Sequence, residues 1–191
     1  MLETELIKRL HQKDEEAFNI IFDENKKKVI NACYRLVYDK DAAEDLTQEV
    51  FVKVFTSINQ FKGNSKLSTW IYRIAITKSL DYLRAQKRKK RFSFIRTDTY
   101  GEEFQLEIKT PESQSPAQIA ELKERSKLLK EALDTLAENQ RVAISLSKYE
   151  GMSTKEIAEI LETTIPAVES LIHRAKRNLE KKLSAYFENK L

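Results

Sequence analysis

Apolar residues recur at helical spacing through most of this chain, and the places where that rhythm stops divide it into segments. Phe18, Ile21, Phe22, Val29, Tyr34 and Leu36 supply an early apolar face, and Cys33, set among Val29, Ile30 and Leu36, reads as a small core residue. From about 41 to 58, Leu46, Val50, Phe51, Val54, Phe55 and Ile58 fall on one broad face at 100° per residue. Asp45, Gln48, Glu49, Val52 and Thr56 fall on the other, and Asp41 with Glu44 has the spacing of a capping box at the helix start. Gly63, Asn64 and Ser65 then interrupt the pattern, with Phe61 continuing the preceding core face. The next helix, about 68–90, has an apolar arc of Ile71, Tyr72, Ala75, Ile76, Tyr82 and Leu83. Its opposite stripe holds Trp70, Arg73, Thr77, Asp81, Arg84 and Arg88.

The period fails again over 93–115, and Pro111 and Pro116 lie at or just past the end of that stretch. Helical spacing resumes over about 117–136 with Ile119, Leu122, Leu129 and Leu133. It continues over about 138–149, where Gly151 suits the left-handed position that ends a helix. Ser153 and Glu156 form a capping box that opens a short helix with Ile157, Ala158 and Leu161 facing inward. Glu162, Thr163 and Thr164 make the turn, and Val168, Leu171, Ile172, Ala175 and Leu179 give the next helix its apolar face. The spacing of Ala158, Val168 and Leu171 matches a helix-turn-helix, in which a small Ala lets two helices cross closely. Such a second helix enters the major groove with its first two turns. Pro166 lies on its outer face, and Thr164 or Ile165 would approach the DNA backbone at the helix N-terminus. Glu169, Ser170 and His173 are placed for base edges, and Arg174, Lys176 and Arg177 for phosphates. The alternative is a helical hairpin with a charged outer face.

Composition supports this reading. Only three Gly and three Pro in 191 residues predict an all-α protein. We expect two small helical domains, 1–92 and 117–191, joined by a flexible linker over 93–116, with the second ending in the helix-turn-helix. Acids Asp98, Glu102, Glu103, Glu107 and Glu112 outnumber Arg96 and Lys109 in the linker. It is either a plain solvated tether or a strand that mimics the charge of RNA in a channel. The net charge of +4 is modest, and its placement is more telling than its total. Lys87, Arg88, Lys89, Lys90 and Arg91 run in succession; part of that run suits a helix C-terminus, and the excess favours phosphate. An aromatic among arginines, as on the Trp70 stripe, suits unpaired bases, unless Trp70 instead packs under the preceding loop. The acidic face around Asp45 is either a solvated surface or a partner site. One cysteine excludes a disulfide framework. No signal peptide and no run of ~18 apolar residues occurs, so we expect a cytoplasmic protein that does not insert in membranes. His11 and His173 lie far apart, and no metal spacing or phosphate loop is present. We therefore expect no catalytic site, no metal and no cofactor.

Three stretches in this order, DAAEDLTQEVFVKVF, FKGNSKLSTWIYRIA with DYLR, and the helix-turn-helix ending HRAKRNL, resemble the extracytoplasmic-function sigma factors of bacterial RNA polymerase. The resemblance covers nearly the whole chain. It implies a specificity subunit that binds core polymerase and promoter DNA and is commonly held by an anti-sigma factor. Asp45, Leu46, Gln48, Glu49 and Phe51 would bind the clamp helices of the largest polymerase subunit. Phe61, Lys62, Asn64 and Ser65 of the loop, with Trp70, Tyr72, Arg73, Thr77, Lys78 and Arg84 of the next helix, would melt and read the −10 element. The helix-turn-helix would read the −35 element through Thr164, Ile165, Pro166, Glu169, Ser170, His173, Arg174, Lys176 and Arg177. The linker would thread toward the RNA exit path. Thr77 stands where family members commonly carry Asn, Glu162 where the turn is usually Gly, and Glu169 and Leu171 where basic residues are frequent. A stand-alone DNA-binding regulator and a helical adaptor without DNA binding are the two other classes the residues allow.

Overall fold

Eight α-helices and one 3-10 turn account for the described residues, 3–93 and 116–188, of the computed structural model. They are α1 (Glu3–His11), α2 (Glu15–Val37), α3 (Lys40–Ser57), α4 (Leu67–Ser93), α5 (Pro116–Asp134), α6 (Glu138–Tyr149), α7 (Thr154–Ile160) and α8 (Ile165–Glu188), with the 3-10 turn at Ile58–Gln60. The expected acidic linker and the Lys90 and Arg91 side chains lie outside the described residues. No described helix is long and apolar enough to cross a membrane.

Local chemistry explains the boundaries. Asp14 caps α2 by accepting from Ala17 N at 3.1 Å, and Arg9 holds that carboxylate at 2.7 Å. This pairing keeps the Asp14 carboxyl below its usual range, with the capping bond adding to the effect. Tyr38, in the left-handed region at φ +56°, ends α2 by donating its N–H to Tyr34 O at 2.8 Å. Asp39, not Asp41, caps α3, accepting from Ala42 N at 2.9 Å. The helix therefore starts earlier than the Asp41–Glu44 spacing predicts, because the carboxylate adjoining the Tyr38 turn reaches the free amides first. Gly63 takes φ +73° in the loop before α4.

Helices α1 to α4 close around Val29, Cys33, Val50, Val54, Ile71 and Ala75, all fully buried. Phe18 and Phe22 flank that core and meet Phe51 edge-on, at 6.4 and 4.7 Å between ring centroids. Burial pushes the Cys33 thiol up, as befits an inert core residue.

A second apolar cluster joins the two halves of the chain. Ala32 and Leu36 of α2 and Tyr72, Ile76 and Leu80 of α4 pack with Val142, Ala143 and Leu146 of α6, Ile157, Ala158 and Ile160 of α7, and Val168 of α8. The two helical units thus sit together through a shared core, an arrangement that period and composition do not reveal.

Candidate nucleic-acid interface

The helix-turn-helix forms as its local signals require. Ser153 Oγ accepts from Glu156 N at 3.2 Å, and Glu156 Oε2 accepts from Ser153 N at 3.1 Å, completing the capping box. At the other end of α7, Leu161 N donates to Ile157 O and Thr163 N to Ala158 O, both at 2.9 Å. The residue bridging those bonds is Glu162, at φ +50°. The left-handed position that glycine usually fills is therefore present and carries a side chain. Fully buried Val168 and Ala175, with buried Ala158, let α8 cross α7 and α6.

That packing turns one face of α8 outward. Thr164, Ile165, Pro166, Glu169, Ser170, His173, Arg174, Lys176 and Arg177 are all exposed. The first turns of α8 thus present short polar groups and His173, followed by a row of cations. This order suits base edges first and phosphates after.

The second candidate surface behaves differently. Lys62 and Asn64 are exposed and Ser65 is half-buried, so the loop is accessible. Phe61 and Trp70 are buried, with ring centroids 5.5 Å apart, and both belong to the α1–α4 core. Of the two roles open to Trp70, the structure places it under the loop. A Trp near a helix start buries more apolar area beneath the incoming chain than on a cationic stripe. Tyr72 is buried as well, in the shared cluster, and its hydroxyl donates to Glu150 Oε2 at 2.8 Å. Burial, then that carboxylate, push the Tyr72 hydroxyl above its ordinary range.

Five cations of this surface are held by carboxylates. Lys66 Nζ lies 2.8 Å from Glu156 Oε1, and Arg73 Nη1 lies 2.8 Å from Glu162 Oε1. Arg84 Nε and Lys87 Nζ share Glu138 at 3.1 and 3.4 Å. Lys78 pairs with Glu49 on α3 at 2.6 Å. Lys66, with the two Ser153 bonds, holds the Glu156 carboxyl down to about 2. Burial works against the charge of Glu138, yet Arg84 and Lys87 keep its carboxyl below the usual range. Thr77 is exposed and spends its hydroxyl on Arg73 O at 2.8 Å.

On α3, Asp45, Gln48 and Glu49 are exposed, but Leu46 and Phe51 are core residues at 5% and 3% exposure. The face expected for a protein partner therefore consists of Asp45, Gln48 and Glu49 around Val52, which is 63% exposed. Val52 is not among the residues the resemblance assigns to this face, although the periodicity shows it as the lone aliphatic among polar positions there.

The chain matches the family models described as Sigma-70 region 2, over residues 21–89, and Sigma-70, region 4, over residues 126–179. It is 32% identical over 178 residues to the ECF RNA polymerase sigma-E factor of Haemophilus influenzae, covering 93% of each chain. Among solved structures it is similar to CnrH in complex with the cytosolic domain of CnrY. The TM-score is 0.68 at 20% identity, covering 96% of this chain and 97% of that one. It is similar also to the sigma factor RpoE in complex with the anti-sigma factor NepR from Bartonella quintana. There the TM-score is 0.65 at 22% identity, covering 87% and 96%. At these identities the two structures bear on the fold alone.

Proposed function

We propose, from the premise that the chain belongs to the extracytoplasmic-function sigma factors of RNA polymerase, a division of labour among its surfaces. The chain directs transcription initiation as a specificity subunit, so recognition is its task. Residues 1–92 serve as the unit that engages core polymerase and the −10 element, 117–191 as the unit that reads −35, and 93–116 as the tether between them. Asp45, Gln48, Glu49 and Val52 form the docking patch for core polymerase. Lys62, Asn64, Ser65, Lys66, Arg73, Thr77, Lys78, Arg84 and Lys87 follow and read the melted −10 strand. Phe61 and Trp70 hold the loop in place from beneath rather than stacking on bases. Thr164, Ile165, Pro166, Glu169, Ser170, His173, Arg174, Lys176 and Arg177 read the −35 duplex. The protein works in the cytoplasm, and an anti-sigma factor holds it inactive.

One observation carries this reading: two separate cationic surfaces stand beside a third, acidic one with an exposed aliphatic centre. A lone DNA-binding regulator has no use for the third. Melting would follow from capture of unstacked bases, which offsets an unstacking cost of about a few kcal/mol per base.

The test is binding to purified core polymerase, followed by transcription from the chain's own upstream region. Asp45→Arg is expected to abolish core binding while leaving the folded far-UV spectrum intact, because Asp45 is exposed. Undiminished affinity of that variant for core would sink the docking assignment. Sequence-specific DNA binding with no affinity for core would move the chain to a stand-alone regulator.

A further inference from the structure

Four cations of the proposed −10 surface, Lys66, Arg73, Arg84 and Lys87, are paired with carboxylates from the other half of the chain. A fifth pair of the same sense joins Arg35 to Glu150 at 3.3 Å, next to the Tyr72 hydroxyl that Glu150 also receives. In each of the five the cation belongs to the first half and the acid to the second, between Glu138 and Glu162. On the −35 face the situation is the opposite: Glu169, His173, Arg174, Lys176 and Arg177 are exposed and outside this network. The occlusion is therefore selective for one of the two DNA surfaces.

Two of these acids sit where the local fold would not demand them. Glu162 holds a left-handed φ of +50° that glycine would adopt without strain, and its carboxylate reaches Arg73. Glu156 needs only Oε2 for the capping box, and its Oε1 is directed to Lys66. A Gln would satisfy the cap equally well. In both cases the negative charge is in excess of what the turn or the cap requires, and in both it faces a cation proposed to follow phosphate.

We propose that the carboxylates of Glu138, Glu156 and Glu162 are an internal phosphate mimic that masks the −10 surface of the free chain. Resting on the sigma-factor reading above, the mimic gives the chain self-inhibition toward single-stranded DNA while its −35 face stays open. Phosphates of a melted strand must displace these acids, so the carboxylates set the affinity and the salt dependence of the −10 contact.

The test uses the full chain and a fluorescein-labelled 12-nucleotide single-stranded DNA of mixed sequence. The triple variant Glu138→Gln, Glu156→Gln, Glu162→Gly keeps the cap and relieves the turn, and circular dichroism verifies its fold. The control triple, Glu24→Gln, Glu131→Gln, Glu180→Gln, makes the same net charge change on exposed positions away from the junction. The unmasking triple is expected to bind about 10-fold tighter at 0.1 M salt, and with four cations freed its slope of log affinity against log salt is expected to steepen by about 3. Each freed cation contributes about 0.7 to that slope on a single strand. The control is expected to change affinity less than about 2-fold, consistent with screening of distant charges. Adding Lys66→Ala, Arg73→Ala, Arg84→Ala and Lys87→Ala to the unmasking triple is expected to remove the gain. Equal gains in both triples, an unchanged slope, or a gain that survives the four alanines would each overturn the mimic. Transcription with core polymerase is scored separately. Its absence together with a full single-strand gain would count against the sigma-factor reading and leave the masking intact.

Discussion

Ile76→Ala should lower the thermal midpoint of the whole chain, although Ile76 lies on a helix whose own unit has another core. Ile76 is 4% exposed and belongs to the cluster that α2 and α4 share with α6, α7 and α8. The change removes three carbons, about 2.4 kcal/mol at about 0.8 per buried methylene. A residual cavity brings the expected cost to about 2–5 kcal/mol. For a chain of this size each kcal/mol moves the midpoint by about 2–4 °C, so a fall of about 4–20 °C is expected. Differential scanning calorimetry on the full chain also reads the number of transitions. The shared core predicts one cooperative transition for the parent. In the variant it predicts a transition that broadens or splits as the two halves melt independently. If the two halves did not share a core, Ile76 would be largely a surface residue, and its truncation would cost within about 0.5 kcal/mol. An unchanged midpoint in Ile76→Ala would refute the shared core.

Arg174→Ala and Arg177→Ala should each weaken binding to duplex promoter DNA nearly uniformly across sequences and reduce the salt slope by about 0.9, as loss of one phosphate contact requires; electrophoretic mobility shifts at several salt concentrations would read this. Trp70→Ala should destabilise the first unit by about 3–5 kcal/mol, because Trp70 is 8% exposed against Phe61; a variant that stays fully stable in urea yet fails to melt promoter DNA would contradict its core role. Acid should loosen the junction. The Glu156 carboxyl stands at about 2 when folded, well below an ordinary Glu, so its contribution is fully present above about pH 4.5. That contribution is lost as pH falls from there toward 2. Midpoints recorded across that window should fall less steeply in Glu156→Gln than in the parent.

Local features were legible to the extent that nearby residues decide them. The bounds of α6, the Ser153–Glu156 capping box and the outward face of α8 follow from caps and period, and all three are present. The left-handed turn also appears where the helix-turn-helix spacing puts it, with Glu162 accepting the strain. Features set by residues far apart in sequence were not legible. Leu36 and Ile76 each read as core of the first unit, and nothing in the pattern says that they meet Val142 of the second. One hint lay in α4, whose apolar arc of Ile71, Tyr72, Ala75 and Ile76 is wider than one packed side requires. Leu46 and Phe51 were placed at the partner surface by resemblance, while the periodicity had already put them on the apolar face. The structure sides with periodicity, because a partner site on α3 can use only what the helix turns outward.

The exposed acidic patch also constrains how the closed arrangement must open. Elements at −10 and −35 are about 25 base pairs apart, or about 85 Å at about 3.4 Å per base pair. A compact chain of this length has a radius of gyration of about 16 Å and is about 40 Å across, so with its halves docked it cannot reach both. The 22 residues between Ser93 and Pro116 span at most about 75 Å when extended, enough for an open chain to reach most of that distance. Separation of the halves is therefore a requirement of the function. A ligand shifts such an equilibrium only by its difference in affinity for the two states, and equal binding shifts nothing however tight it is. Asp45, Gln48 and Val52 are already exposed in the closed chain, so polymerase contact at that patch alone would leave the balance where it was. The opening force must come from surfaces that only the open chain offers. These are the Tyr72 and Ile76 face of α4, freed from α6 and α7, and the cations proposed for −10, freed from Glu138, Glu156 and Glu162. On the division of surfaces proposed above, melted promoter DNA, which meets the freed cations, selects the open form, and the acidic patch supplies the anchor from which it acts.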